Sequence, residues 1–205
     1  MNTKILAVSI KKLGIMERGY ARVKLDLSTD IRNTFSNFPS HYKNDKKLAE
    51  IALNKAKSSD IRVLYQEFSE PLKNDKWLAQ KALNKASNET EIFLLFCEYG
   101  EALKNDRETA LNTLANTTVG VAGIFPLLSE SLKNDKEVAT VAMHQVSSLN
   151  VADLFQTFGE SLKNDKDLAM FALHKIAVNH TSLINQNTGI LYLPNLFGES
   201  LKNDH

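Results

Sequence analysis

Cys97 is the only cysteine in 205 residues, so no disulfide can close within the chain and nothing asks for an oxidising compartment. A reducing cytoplasm is the expected setting. Charge of one sign is lacking too, since 25 basic residues meet 24 acidic ones, which argues against a protein that holds nucleic acid mainly through its phosphates. No apolar run approaches the length of a membrane span, and Ile5 to Ile10 is too short for a signal-peptide core. If the protein leaves its cell, some other signal directs it. The sequence also has no Walker loop, no Gly-x-Gly-x-x-Gly, no His-Glu-x-x-His and no Gly-x-Ser-x-Gly. The expectation is therefore a chain that is not an enzyme and uses no cofactor or metal.

What is present is a repeat. Lys-Asn-Asp occurs six times, ending at Asp45, Asp75, Asp106, Asp135, Asp165 and Asp204, with steps of 30, 31, 29, 30 and 39 residues. A period near 30 residues accommodates two short helices and their turns, and tandem units of that size stack into a solenoid. The expected fold class is all-α: an α-solenoid of about five two-helix repeats over residues 28–205, behind a divergent N-terminal helical cap at 1–27.

After the triplets, Leu48, Ala49, Ala52 and Leu53 are matched by Leu78, Ala79, Ala82 and Leu83, by Val138, Ala139, Ala142 and Met143, and by Leu168, Ala169, Ala172 and Leu173. That spacing makes one helical face, on helix A, and its alanines let neighbouring helices approach closely. The third copy departs, with Thr109 and Thr113 on the stripe. The triplet itself reads as the start of helix A. With Asn44, Asn74, Asn105, Asn134 and Asn164 as caps beside Asp45, Asp75, Asp106, Asp135 and Asp165, Glu108 and Glu137 complete a capping box. The second half of each period reads as a helix B, opened by Ser59 or Asp60 and by Ser148 or Asn150. Its stripe is Ile61, Leu64, Tyr65, Phe68 and Leu72 in one copy, and Val151, Leu154, Phe155, Phe158 and Leu162 in another. Pro126, behind Gly120 and Gly123, is expected to shorten or kink its helix B.

The stretch Glu-Ser-Leu-Lys-Asn-Asp-Lys-Glu-Val-Ala at 130–139, echoed at 160–169, resembles the short bacterial helical repeats of a family known only as a domain of unknown function, many of which carry Leu-Lys-Asn-Asp-Lys-Glu-Val. The Asn-Gly turn common after the first helix of that family is absent here. What the resemblance implies is a helical array of the kind found in proteins that intracellular bacteria deliver into host cells, with no catalytic residue to carry over.

Positions that break the repeat are where a recognition surface would be written. Trp77 aligns with Lys47, Glu108, Glu137 and Asp167 and points away from the stripe of helix A, as an outward anchor for a partner would. Phe93, Leu94 and Cys97 flank the stripe of their helix B, Leu127 lies beside Pro126, and Tyr192 and Leu196 occupy outward places in the last unit. These seven form the expected partner-binding set, against the plainer reading that neighbouring helices cover them. Cys97 reads as a structural thiol. His144 and His174 align in adjacent units but have no ligand set at metal spacing, so they read as surface histidines.

The function expected from these features is a protein–protein interaction scaffold, as a bacterial effector or a module of one. The alternatives are an inhibitor or regulator of a partner enzyme, and a nucleic-acid-binding array. The last draws on residues 1–27, whose net charge is +4 while the remainder carries −3. The chain stops on a sixth triplet, the start of a helix A that does not follow. The array is therefore expected to continue beyond residue 205, or to meet a partner chain or a second copy end to end.

Overall fold

The structure, a computed structural model, describes residues 3–180. Sixteen α-helices and three 3-10 segments, with no strand, make up the regular structure of the described residues. None of those helices is long and apolar enough to cross a membrane. The residues fall into two compact units, 3–87 with 98–100 and 88–97 with 101–180.

The first unit contains α1 (Thr3–Leu27), α2 (Ile31–Ser36), α3 (Ser40–Lys43), α4 (Lys46–Lys55), α5 (Ile61–Gln66), α6 (Glu70–Lys73) and α7 (Lys76–Leu83). To the second belong most of α8 (Glu89–Glu98), then α9 (Glu101–Lys104), α10 (Arg107–Ala115), α11 (Val121–Ile124) and α12 (Glu130–Lys133). It ends with α13 (Lys136–Gln145), α14 (Val151–Gln156), α15 (Glu160–Lys163) and α16 (Lys166–His180). The 3-10 segments are Ser58–Asp60, Phe125–Leu127 and Ser148–Asn150. Helix A of each period is thus α4, α7, α10, α13 or α16. Its stripe is buried throughout α4, α7 and α13, while Leu173 on α16 is half-buried.

Helix B differs from the sequence expectation, because it is two pieces. In the first full period α5 stops at Gln66, Ser69 adopts extended backbone (φ −67°, ψ 159°), and α6 makes one further turn before the triplet. Ser129 and Gly159 repeat this conformation. The residue six places before each of the first five aspartates is Pro39, Ser69, Gly100, Ser129 or Gly159, none of them a good helix former. The break does not expose the stripe, since Phe68 and Leu72 are buried on either side of it. It also frees a backbone donor. The N–H of Ser69 reaches the carbonyl of Lys43 at 3.2 Å, that of Gly100 reaches Lys73 at 3.0 Å, and that of Gly159 reaches Lys133 at 3.1 Å, so these three breaks are bonded to the preceding triplet.

Aspartate, not asparagine, caps helix A. The Asp45 carboxylate accepts from the N–H groups of Lys47 and Leu48, Asp75 from Leu78, Asp106 from Thr109, and Asp135 from Glu137 and Val138, satisfying donors that have no helical partner. Such a cap contributes about 1 kcal/mol. With the cap one residue later than expected, Glu108 and Glu137 stand too early to close a capping box. The asparagine instead closes the turn before it: the side-chain amides of Asn74, Asn134 and Asn164 donate to the carbonyls of Glu70, Glu130 and Glu160 at 3.0, 2.9 and 3.1 Å. Asn44 and Asn134 also accept from the hydroxyls of Ser69 (2.6 Å) and Ser161 (2.7 Å) one period on. The cap candidates Asp60 and Asn150 make no capping bond, and a 3-10 turn leads into the helix there.

Charged side chains link successive periods within each unit. Lys46 bonds Asp75 at 2.6 Å, Arg107 bonds Asp135 at 2.7 Å and Lys136 bonds Asp165 at 2.7 Å, so the first residue of one helix A holds the cap of the next. Ten residues after the aspartate, a second set of cations reaches backward. Lys85 Nζ donates to the carbonyls of Leu53 (2.7 Å), Asn54 (2.7 Å) and Ala56 (2.9 Å), at the end of α4. Lys175 donates to Met143 and His144 at 2.7 Å each, at the end of α13. These are the orphan carbonyls of a helix C-terminus, where the macrodipole favours positive charge.

The third helix A keeps its polar substitutions by bonding them locally. Thr113 is buried and donates to the carbonyl of Thr109 at 2.8 Å, and Thr109 donates to Asp106 at 2.9 Å. Its following segment is short: α11 is one turn, and Pro126 falls within a 3-10 turn. Helix α16 runs to His180, two residues into the stretch 179–189, whose asparagines and threonines read in the sequence as a longer loop. The rest of that stretch, the last triplet and the two ends of the expected domains lie outside the described residues.

Candidate functional site

Two surfaces of the first unit stand out. On α7 the Asp75 cap fixes the first turn, so Trp77 is carried outward, opposite Leu78, Ala79 and Ala82, and is 45% exposed. Its ring is held by cations. Lys81 Nζ, one turn along, lies 4.4 Å from the ring centroid, and Lys46 Nζ, from the previous period, lies 5.6 Å away. Lys46 is held in turn by Asp75, and Lys81 by Glu50 at 3.9 Å. Burial alone would push the Asp75 carboxyl up, but the bond from Lys46 and the N–H groups of the first turn outweigh it and hold the carboxyl below its usual range. Trp77 is thus an exposed indole of fixed orientation with charge packed against its face.

The second surface belongs to α1. Ala21 and Leu25 are buried against the unit, whereas Met16, Tyr20, Val23 and Leu27 on the other side are between 53% and 78% exposed. An open groove of about 540 Å³ runs beside them, lined among others by Tyr20, Lys24, Phe38 and Tyr42. This stripe was missed by sequence reasoning that weighed residues 1–27 by charge. Its signal is the spacing of four, three and four residues.

The other expected partner residues are dispersed. Phe93, Leu94 and Cys97 are half-buried on α8. The ring of Phe93 covers Gly123, where an added Cβ would lie 2.7 Å from it, and together with Thr90 and Val119 it lines a cleft of about 170 Å³. Leu127 is 44% exposed. Tyr192 and Leu196 lie outside the described residues. The second unit also exposes Val119, Leu149 and Met170; Met170 aligns with Glu50, Gln80, Leu111 and Thr140. His144 and His174 are exposed, and the His144 ring meets the Phe171 ring edge-on at 4.6 Å. Among the described residues no group of histidine, cysteine, aspartate and glutamate is placed to hold a metal ion.

One further contact is specific to the second unit. The Glu89 carboxylate accepts from the hydroxyl of Thr118 at 2.6 Å, from the Thr118 N–H at 3.0 Å and from the Val119 N–H. It ties down the loop after α10. Compared with protein-family models, curated proteins and solved structures, the chain matches none.

Proposed function

We propose that the chain is a protein-binding scaffold, an α-solenoid in which the repeat builds a frame and side chains that depart from it recognise a partner. Trp77 is the anchor of this reading. Four other periods place Lys47, Glu108, Glu137 or Asp167 at its position, while Lys46 and Lys81 hold the indole in a fixed orientation and leave 45% of it exposed. A pre-oriented aromatic loses little freedom on binding, which is the property of an interface hot spot. Cations against the ring suit a partner segment that combines an apolar side chain with a carboxylate. The resemblance of 130–139 and 160–169 to repeats in delivered bacterial proteins extends the proposal to an effector module acting inside a host cell.

Because Trp77 is the only tryptophan, its fluorescence reports on the site directly. Affinity capture from host and bacterial lysates with the wild type and Trp77→Ala should recover a protein that the variant loses. That protein, once purified, should shift the tryptophan emission on titration. Equal recovery of every captured protein by both forms would remove Trp77 from the interface.

A further inference from the structure

We propose that α1 is a self-association element that pairs antiparallel with α1 of a second copy. The inference goes beyond the scaffold reading and uses a different face of the first unit. Met16, Tyr20, Val23 and Leu27 follow the spacing of a coiled-coil seam. At 3.6 residues per turn they lie within about 60° of one another. Ala21 and Leu25, on the opposite side, already contact the unit. Helix α1 is therefore apolar on two faces, of which one is occupied.

The charges beside the open seam select its occupant. Glu17 and Lys24 flank it on the same side, seven residues apart, and neither has an ion-pair partner among the described residues. In an antiparallel pair with its two-fold axis between Ala21 and Arg22, Tyr20 packs on the second copy's Val23 and Met16 on its Leu27. The same alignment brings Glu17 of each copy to Lys24 of the other, giving two equivalent ion pairs from one contact, as a closed two-fold interface requires. A parallel pair instead places Lys24 against Gly19 and leaves it without an acidic partner. Only the antiparallel direction pairs both Glu17 and Lys24.

The area sets the strength. The exposed parts of the four side chains amount to on the order of 500 Å² per copy, less than the ~800 Å² per partner of a standard interface. The pair should accordingly form in the micromolar range or weaker.

Sedimentation equilibrium of the full chain measures this. The apparent mass should rise from 23.0 kDa toward twice that value as concentration increases from ~1 to ~500 μM. Tyr20→Asp, on an exposed side chain, should hold the chain monomeric with unchanged helicity. Glu17→Lys and Lys24→Glu should each weaken association several-fold, while Glu17→Lys with Lys24→Glu should restore it by exchanging the two charges. A monomer at every concentration overturns the proposal. So does a dimer insensitive to Tyr20→Asp, and a double variant no stronger than either single one rules out the antiparallel alignment.

Discussion

The ends of α4 and α10 do the same job with opposite charge. After α4 the chain presents carbonyls, and Lys85 from the next period donates to three of them. After α10 it presents N–H groups at Thr118 and Val119, and Glu89 from the previous period accepts from both. The residue placed to act as a lysine on the end of α10 is Gln145, which makes one long bond of 3.4 Å to the carbonyl of Ala115. A repeat of this kind can therefore exchange the chemistry of a joint without losing the joint, provided the loop turns the complementary backbone group outward. The exchange coincides with the polar stripe of α10 and with the proline-shortened segment that follows it.

The largest effect should come from removing the lysine. Lys85→Met keeps the apolar stem and deletes three bonds from a charged donor to carbonyls left without helical partners. Bonds involving a charged group are worth roughly 1.5–3 kcal/mol each in buried settings, and partial solvation of the freed carbonyls brings the expected total to about 2 kcal/mol. Lys47→Met, at an exposed position on α4, should stay within about 0.5 kcal/mol of the wild type. Chemical denaturation monitored by helicity measures both. Equal losses would mean that the Lys85 contacts contribute no more than a surface lysine.

Glu89 should distinguish the joints by pH. The hydroxyl of Thr118, then the N–H of Val119, stabilise its ionised form and hold the carboxyl below its usual range, whereas in the unfolded chain it titrates near the ordinary value of about 4.3. Its contribution is thus complete above that ordinary value and is lost as pH falls through the lower, folded value. Glu89→Gln should be less stable than the wild type at pH 7, and the gap should close in acid. The gap between Lys85→Met and the wild type should not change over the same window. A constant gap for Glu89→Gln from neutral pH down to about pH 3 would show that its charge is irrelevant to the loop.

The sequence hides both joints, although it makes the frame that carries them visible in outline. The stripe of helix A is legible because Leu48, Ala49, Ala52 and Leu53 recur in phase, and Trp77 is legible because four aligned residues supply its reference. The break in helix B is concealed because Phe68 and Leu72 keep the helical spacing across it. Its only trace is the row of Pro39, Ser69, Gly100, Ser129 and Gly159. Lys85 reads locally as a solvated surface residue, since the carbonyls it caps lie 29 to 32 residues away. The cations on Trp77 divide in the same way: Lys81 is one turn along, but Lys46 is brought there by packing alone. Periodicity shows which face of a helix is buried. It does not show which neighbour a polar side chain will meet.

The smallest effect tests whether the two joints exclude each other. Gln145→Lys places an ammonium where Lys175 bonds the end of α13 one period later, and it should complement the C-terminal dipole of α10 by about 0.5 kcal/mol. That gain requires the carbonyls of Leu114 and Ala115 to remain reachable while Glu89 holds Thr118 and Val119. In the Glu89→Gln background the loop is released to present its carbonyls as the end of α4 does, so the same substitution should gain more there than in the wild type. Stability measurements on the two single variants and the double variant give the coupling directly. Strict additivity would show that cation and carboxylate act on independent parts of the loop, and that the exchange of charge between the ends of α4 and α10 is two separate accidents of sequence rather than one joint in two chemical forms.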